Sequence, residues 1–326
     1  MKIFITGATG FIGTQVANLL AKTEHRMVCM VRKYNEASER LRSLGAELVT
    51  GDITDKASVL QGMKGCDWVI NIAAVYSYWQ PDNRIFKEVN VNGTTNVMDC
   101  ALEAKVSKIV HVSTVVIYGK PADNPYTEES EPGPVRFSRY SLTKYEGDQV
   151  VWDLYKNKGL PVVVVYPSAV LGAGDPKASG KYISDIAHGR MPATVFKKTT
   201  LTWVHVKDVA EAIVRAAEKP GNIGEKYLIG NYRLTMPEFN KMISEVSGTR
   251  LPLLSMPDSL AMVSAYMLTG LSNLFKFPPP MGMSVDQMRI MKEGFSADGS
   301  KAERELGLTY TPVRVAIEEE IAEDKA

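Results

Sequence analysis

Cysteine and histidine are scarce in this chain, at three and four residues of 326. Cys29, Cys66 and Cys100 are too few and too far apart for a disulfide framework or a zinc knuckle. They fit reduced thiols, and no metal is expected. Neither sign of charge is in excess: 38 Lys and Arg stand against 37 Asp and Glu, for a net charge of +1. Nucleic acid is therefore not an expected partner, because phosphate binding shows as a basic excess or stripe. Repeats and low-complexity tracts are missing too. Long uncharged runs are lacking with one exception, residues 259–275, which carry no charge over 17 positions. That is the short limit for a bilayer span, and three Ser, a Thr, a Gly and an Asn interrupt it. A buried or amphipathic helix is the expected reading, and a membrane-facing flap that admits a greasy ligand is the other. The chain opens into a strand-like run with no charged-then-apolar leader, so the cytoplasm is the expected compartment.

What is present is alternation. Apolar runs at 2–6, 27–31, 48–50, 68–72, 108–113 and 161–166 read as strands, with helical stretches at 14–21, 36–44, 56–61, 92–104 and 142–156 between them. Strands apolar on both faces and separated by helices predict a parallel sheet covered on both sides. After Tyr166 the pattern changes, with frequent Pro and Gly, a cluster of Met and helical apolar spacing. The expected division is residues 1–166 as the sheet domain and 167–326 as a smaller, mostly helical lobe. Residues 201–218 are expected to pack back on the sheet. The acidic tail from 318 to 326 reads as the end of a last helix.

Between the first strand and the first helix stands Gly7-Ala8-Thr9-Gly10-Phe11-Ile12-Gly13. A tight turn needs residues without Cβ, and the amides opening the next helix then meet a pyrophosphate where the helix dipole favours negative charge. Gly13 lets that helix lie close to the strand, so the loop predicts a dinucleotide-binding, doubly wound sheet of the Rossmann kind. Sites that choose NAD usually carry an acid at the end of the second strand. Here Val31-Arg32-Lys33 stands instead. A guanidinium grips a 2′-phosphate through paired hydrogen bonds, so NADP(H) is the expected cofactor and NAD(H) the second option. Asp52 and Ile53 follow the third strand, where they would meet the adenine. Ala73 and Ala74 follow the fourth, where small residues leave room for ribose and phosphates.

Tyr140 and Lys144 stand four apart, so both point to one face of a helix. A free phenol has a pKa of about 10, and a neighbouring ammonium together with an oxidised nicotinamide ring is expected to bring it towards neutrality. Upstream, a strand ending Val112-Ser113-Thr114 presents a hydroxyl beside the phenol to hold a substrate oxygen.

TGATGFIG, GDITD, INIAAVYSYW, VNVNGTTNVM, VHVSTVVIYG, YSLTK and FSADGSKAERELGL occur in this order. Together they resemble the extended short-chain dehydrogenase/reductases of the epimerase/dehydratase superfamily, over nearly the whole chain. Ala73-Ala74, Tyr76 and Trp79, with Pro167, Ser168, Gly172, Gly174 and Asp175, are similar to the dihydroflavonol-4-reductase-like and hopanoid-associated epimerase-like group. The resemblance implies that Thr114, where most relatives carry Ser, is the catalytic hydroxyl. It implies Tyr140 as acid–base and Lys144 as the ribose-binding residue that tunes it. Asn90 is implied to lie near the cofactor, and Pro167 and Ser168 to face the nicotinamide. Val112, Thr9, Phe11 and Ile12 complete the expected cofactor contacts. Many relatives dimerise through a four-helix contact, here 92–104 with 142–156.

Tyr76, Tyr78 and Trp79 are expected to wall the substrate, with Phe137 beside Tyr140. Arg136 and Ser138 are further candidates, and Lys181, Tyr182 and Met191 would close the pocket from above. His205 is expected to be structural. The leading function is an NADPH-dependent reductase of a ketone or aldehyde on a bulky, largely apolar small molecule. The alternative is a nucleotide-sugar epimerase or dehydratase with tightly bound NAD. It would need basic groups for a diphosphate, and the lobe offers few beyond Lys177, Lys181, Arg190, Lys197 and Lys198. A non-catalytic dinucleotide sensor would have no need of a tuned phenol.

Overall fold

The computed structural model of the chain describes residues 1–175 and 178–324. Lys177 and the last two residues of the acidic tail lie outside the described residues. The both-sided apolar runs form β1 (Lys2–Thr6), β2 (Arg26–Val31), β3 (Glu47–Thr50) and β4 (Trp68–Asn71). They alternate with α1 (Phe11–Leu20), α2 (Glu36–Ser43) and α3 (Lys56–Met63). The chain continues through α4 (Arg84–Lys87), a π-helical turn at Glu88–Gly93, and α5 (Thr94–Glu103). Next come β5 (Lys108–Val112), a 3-10 turn at Val115–Tyr118, α6 (Arg139–Lys158) and β6 (Val162–Pro167).

The second half contributes β7 (Ala169–Leu171), α7 (Ala178–Ala187), β8 (Thr200–His205) and α8 (Val206–Glu218). After them come β9 (Lys226–Ile229), β10 (Tyr232–Thr235), α9 (Met236–Ser247) and α10 (Asp258–Phe275). The chain closes with α11 (Val285–Glu293), α12 (Ser300–Leu306) and α13 (Val313–Glu323).

The main sheet is parallel throughout, in the order β3-β2-β1-β4-β5-β6-β9. Its order reverses between β1 and β4, and a doubly wound sheet opens its ligand crevice at that point. This is the Rossmann-like architecture expected, with one strand more than the sequence signals: β9 pairs with β6 at the far edge. A separate small sheet, β10-β8-β7, belongs to the second lobe.

Successive strand residues point to opposite faces, so each face has its own core. Ile3, Ile5, Val110 and Val163 pack with Val16 of α1, Ile213 of α8 and Leu306 of α12. Phe4, Val69, Ile109 and Val164 pack with Val59 of α3, Met98 of α5 and Val151 of α6. Burying each such side chain contributes about 1.5–3 kcal/mol, and this rigid double layer fixes the strand ends that carry the site.

The helix over the uncharged stretch differs from expectation. α10 buries only Ala261, Ala265 and Ser272, and turns most of its large apolar side chains outwards. Small residues satisfy the close approach to the neighbouring α11, so the bulky ones are left on the other side. Among the described residues no helix is long and apolar enough to cross a membrane.

Candidate active site

The glycine turn takes the shape its sequence requires. Gly7 has φ +76°, and a Cβ there would lie 2.7 Å from the backbone nitrogen of Ala73. At Gly13 a Cβ would overlap the Gly7 carbonyl oxygen and lie 2.7 Å from Ala8 Cα. The closeness of α1 to β1 therefore depends on that hydrogen. α1 starts at Gly10 with no side-chain cap and no acid in its first turn. Its first amides thus face the cavity unsatisfied, which suits an anion.

That cavity measures about 1030 Å³, at the upper end of the roughly 300–1,000 Å³ of small-molecule sites. It runs from Arg32, Asp52 and Ile53 past the glycine turn, Ala73 and Ala74 to Thr114, Tyr140 and Lys144. Thr9, Phe11, Ile12, Val112, Pro167, Ser168, Tyr76 and Tyr78 also line it. Arg40 of α2 stands on the wall at the Arg32 end, a second cation that sequence reading did not single out. Asp52 directs Oδ1 to the Thr54 amide and hydroxyl, at 2.9 and 2.8 Å. The residues fit an extended dinucleotide: a side-chain-free cradle, an uncapped helix start, and a buried Ser168 Oγ with no partner in the protein.

The chemical end is held by α6. Ser138 caps this helix, accepting from the Ser141 amide at 3.0 Å, with Ser141 answering in a capping box. This fixes the first turn, where Tyr140 lies. Tyr140 is buried beside the Thr114 hydroxyl, which donates to the Pro167 carbonyl at 3.5 Å. Its ring meets Tyr76 edge-on at 5.2 Å between centroids and Tyr78 at 6.2 Å. Lys144, one turn on, donates from Nζ to the Val112 carbonyl at 2.9 Å.

The expected fall in the phenol's pKa rests on the oxidised nicotinamide as well as on Lys144, and the protein's own groups do not produce it. Burial pushes Tyr140 above its usual value and Tyr78 adds to the rise, while the Thr114 hydrogen bond opposes both. The phenol therefore keeps its proton at neutral pH and is a donor. Burial pulls Lys144 down to about 8, and Asp148 one turn further on opposes that fall.

Asp148 escaped the sequence reading, although Tyr140, Lys144 and Asp148 repeat at four-residue spacing on one helix face. Its Oδ2 accepts from the Tyr166 hydroxyl at 3.0 Å and from Trp152 Nε1 at 3.1 Å. Oδ1 faces Ser113 Oγ outside hydrogen-bonding geometry. Burial raises this carboxyl to about 6, against the pull of Tyr166 and Lys144.

Four expected contacts lie outside this cavity. Asn90 does not line the cavity: its Oδ1 accepts from the Val75 amide at 2.8 Å, and its Nδ2 donates to Val75 O at 3.2 Å and Thr143 Oγ1 at 3.1 Å. It sits in the π-helical turn and ties the 73–79 loop to α6, because its amide is fully used by protein partners. Trp79 is turned into an adjoining cavity of about 370 Å³, with Nε1 donating to Asn273 Oδ1 at 3.0 Å. Phe137 lines neither cavity and packs in the small core around Tyr140. Arg136 lies 4.0 Å over the Tyr145 ring, away from both.

The adjoining cavity meets the first at Tyr76, Tyr78, Tyr182, Gln287 and Met291. Met191, Met256, Met281, Met283 and Met288 line it, together with Pro192, Pro278 and Pro279. Its one cation among the described residues is Lys181, whose Nζ lies 3.0 Å from Asp185. His205 caps α8, accepting from the Lys207 amide at 3.0 Å, with Nε2 3.1 Å from Glu319. Both of its ring nitrogens therefore have partners in the protein.

The family described as "NAD dependent epimerase/dehydratase family" matches residues 3–230. Sterol demethylase protein B of Methylococcus capsulatus is 30% identical, over 99% of this chain and 98% of that protein. The 4-hydroxy-2-methyl-3-oxo-4-farnesyl-3,4-dihydroquinoline-1-oxide ketoreductase of Stigmatella aurantiaca is 29% identical, over 82% of this chain and 79% of that protein. Among solved structures, gox2253 is 34% identical with a TM-score of 0.83, covering 99% of this chain and 97% of its own.

Proposed function

The chain belongs to the NAD dependent epimerase/dehydratase family and is an oxidoreductase of the extended short-chain dehydrogenase/reductase type, and from that premise we propose that it is an NADPH-dependent reductase of a ketone or aldehyde on a bulky, largely apolar small molecule. One observation carries the reading. Thr114, Tyr140 and Lys144 converge at one end of a cavity that continues into a methionine-lined chamber.

The reduced nicotinamide, when bound, supplies the hydride. The glycine turn and the start of α1 would hold its pyrophosphate, and Arg32 with Arg40 its 2′-phosphate. Thr114 and Tyr140 donate hydrogen bonds to the carbonyl oxygen, polarising it. Tyr140 then gives up its proton to that oxygen, and the carbonyl becomes an alcohol. The charged Lys144 stabilises the phenolate left behind, which regains a proton from solvent.

The sugar-nucleotide alternative has less support. A diphosphate in the second chamber would meet Lys181, whose charge Asp185 already takes. The name of the Stigmatella relative supports a ketone on a prenyl-bearing ring.

The test is NADPH oxidation against a panel of aromatic and terpenoid carbonyls. Tyr140→Phe is expected to lose about 10²–10⁴-fold in kcat, the usual share of a general acid, with NADPH affinity kept. Full activity in that variant would discard the mechanism. Arg32→Asp is expected to invert the preference between NADPH and NADH. Equal KM values for both cofactors in the unaltered protein would remove the argument for the phosphorylated one.

A further inference from the structure

Exposed apolar surface is concentrated in one part of this molecule. Among the described residues sixteen large apolar side chains are exposed, and eleven of them lie between positions 253 and 281. On α10 they are Leu260, Val263, Tyr266, Met267, Leu271, Leu274 and Phe275, and five of these, Leu260, Val263, Met267, Leu271 and Leu274, are spaced by three or four. At 100° per residue these five fall within an arc of about 80°. Ala261, Ala265 and Ser272, the buried side, point about 140° away from that arc. Periodic placement of this kind is a second apolar face, and single scattered exposures do not produce it.

The patch continues to the chamber beside the site. Met281 is 45% exposed and also lines that chamber, as do Pro278 and Pro279 just after α10. Trp79 of the chamber wall bonds to Asn273 of α10. The rim is amphipathic: Tyr266 accepts from Arg289 Nη2 at 2.7 Å, and exposed Lys276 ends the helix. Aromatic and cationic residues bordering an apolar face are the pattern of helices lying in a membrane interface.

We propose that this face of α10 rests on the surface of a lipid bilayer, and that the methionine-lined chamber receives an apolar substrate from it. The helix is about 27 Å long, and no helix among the described residues is long and apolar enough to cross a membrane, so it lies along the interface. A second copy seated on this face would cover Met281 and close that end of the chamber. A lipid surface leaves an apolar ligand a continuous greasy path. The nature of the cargo rests on the reductase reading, and the docking does not.

Full-length protein is mixed with vesicles of phosphatidylcholine, alone or with phosphatidylglycerol, and separated by flotation. The unaltered chain is expected to float with the vesicles. A variant carrying Val263→Gln, Met267→Gln, Leu271→Gln and Leu274→Gln is expected to bind at least about tenfold less, with NADPH affinity unchanged. Should that variant not fold, Leu271→Cys labelled with a polarity-sensitive dye replaces it, because Cys29, Cys66 and Cys100 are buried. Its emission is expected to shift to the blue on vesicles. Failure of the unaltered protein to float with either lipid, or no dye shift, overturns the proposal. So does a dimer in sedimentation velocity that the four substitutions dissociate while neither protein binds lipid. None of these readings involves turnover, so loss of the reductase reading would leave them standing.

Discussion

Replacing Asp148 by Asn tests the electrostatics of the site most directly. The change keeps the side chain's shape and an oxygen for Tyr166 and Trp152, and removes one buried charge. Groups one helical turn apart lie roughly 6 Å from each other. At an effective dielectric constant of about 20, opposite charges at that separation attract by about 2–3 kcal/mol, equivalent to about two pH units. Asp148 favours the charged form of Lys144, so its loss must lower the lysine's pKa from about 8. The proposed mechanism needs Lys144 charged. Activity in the unaltered protein should therefore fall as pH rises through about 8, and in Asp148→Asn it should fall about one to two units earlier. At pH 7 the expected deficit in kcat/KM is about two- to tenfold. Below pH 6 the two curves should converge, because the carboxyl of the unaltered protein is itself protonated there. The assay is kcat/KM against pH for NADPH-dependent carbonyl reduction, with thermal melts to show that both proteins are folded. A uniform drop at every pH, or an alkaline limb that stays near 8, would refute the reasoning.

Two further substitutions separate packing from binding. Gly13→Ala drives a methyl into the Ala8 backbone, which cannot move aside; a stability loss of about 1–3 kcal/mol and a rise in NADPH Kd by fluorescence titration are expected, and unchanged affinity would contradict the cradle. Asn90→Ala leaves both backbone groups of Val75 short of a partner, at about 1–3 kcal/mol each. Urea unfolding should register that loss, whereas a variant of unaltered stability with a raised KM for NADPH would place Asn90 against the cofactor after all.

Much of this architecture was legible in the order of residues. Strands apolar on both faces can only be central in a covered sheet, and a glycine-rich strand-to-helix turn has few other uses. Short edge elements were harder. β9 is four residues long, and β7 and β10 are three and four, too short to show a period against a Pro- and Gly-rich background. Asp148 was visible as spacing but not as chemistry, since a carboxylate on a long polar helix normally faces water. The motif around Asn90 points to a cofactor neighbour, yet its amide serves Val75 and Thr143, a distinction that depends on atoms from three segments. The direction of α10 could not be read at all. An apolar stripe at helical spacing looks identical whether it meets a core or the outside.

The return of the chain to the main sheet at β9 has a consequence for dissection and engineering. Because the 226–229 segment covers the free hydrogen-bonding edge of β6 and α12 packs into the same core as α1, the part that recognises cargo is sewn through its neighbour at several points. A fragment ended at Tyr166 would expose a bare edge and shed α8 with it, so it should aggregate. Exchanging cargo preference between relatives therefore calls for grafting the β7–α7 and α9–α11 stretches between fixed anchor points, and a single-junction fusion would not suffice.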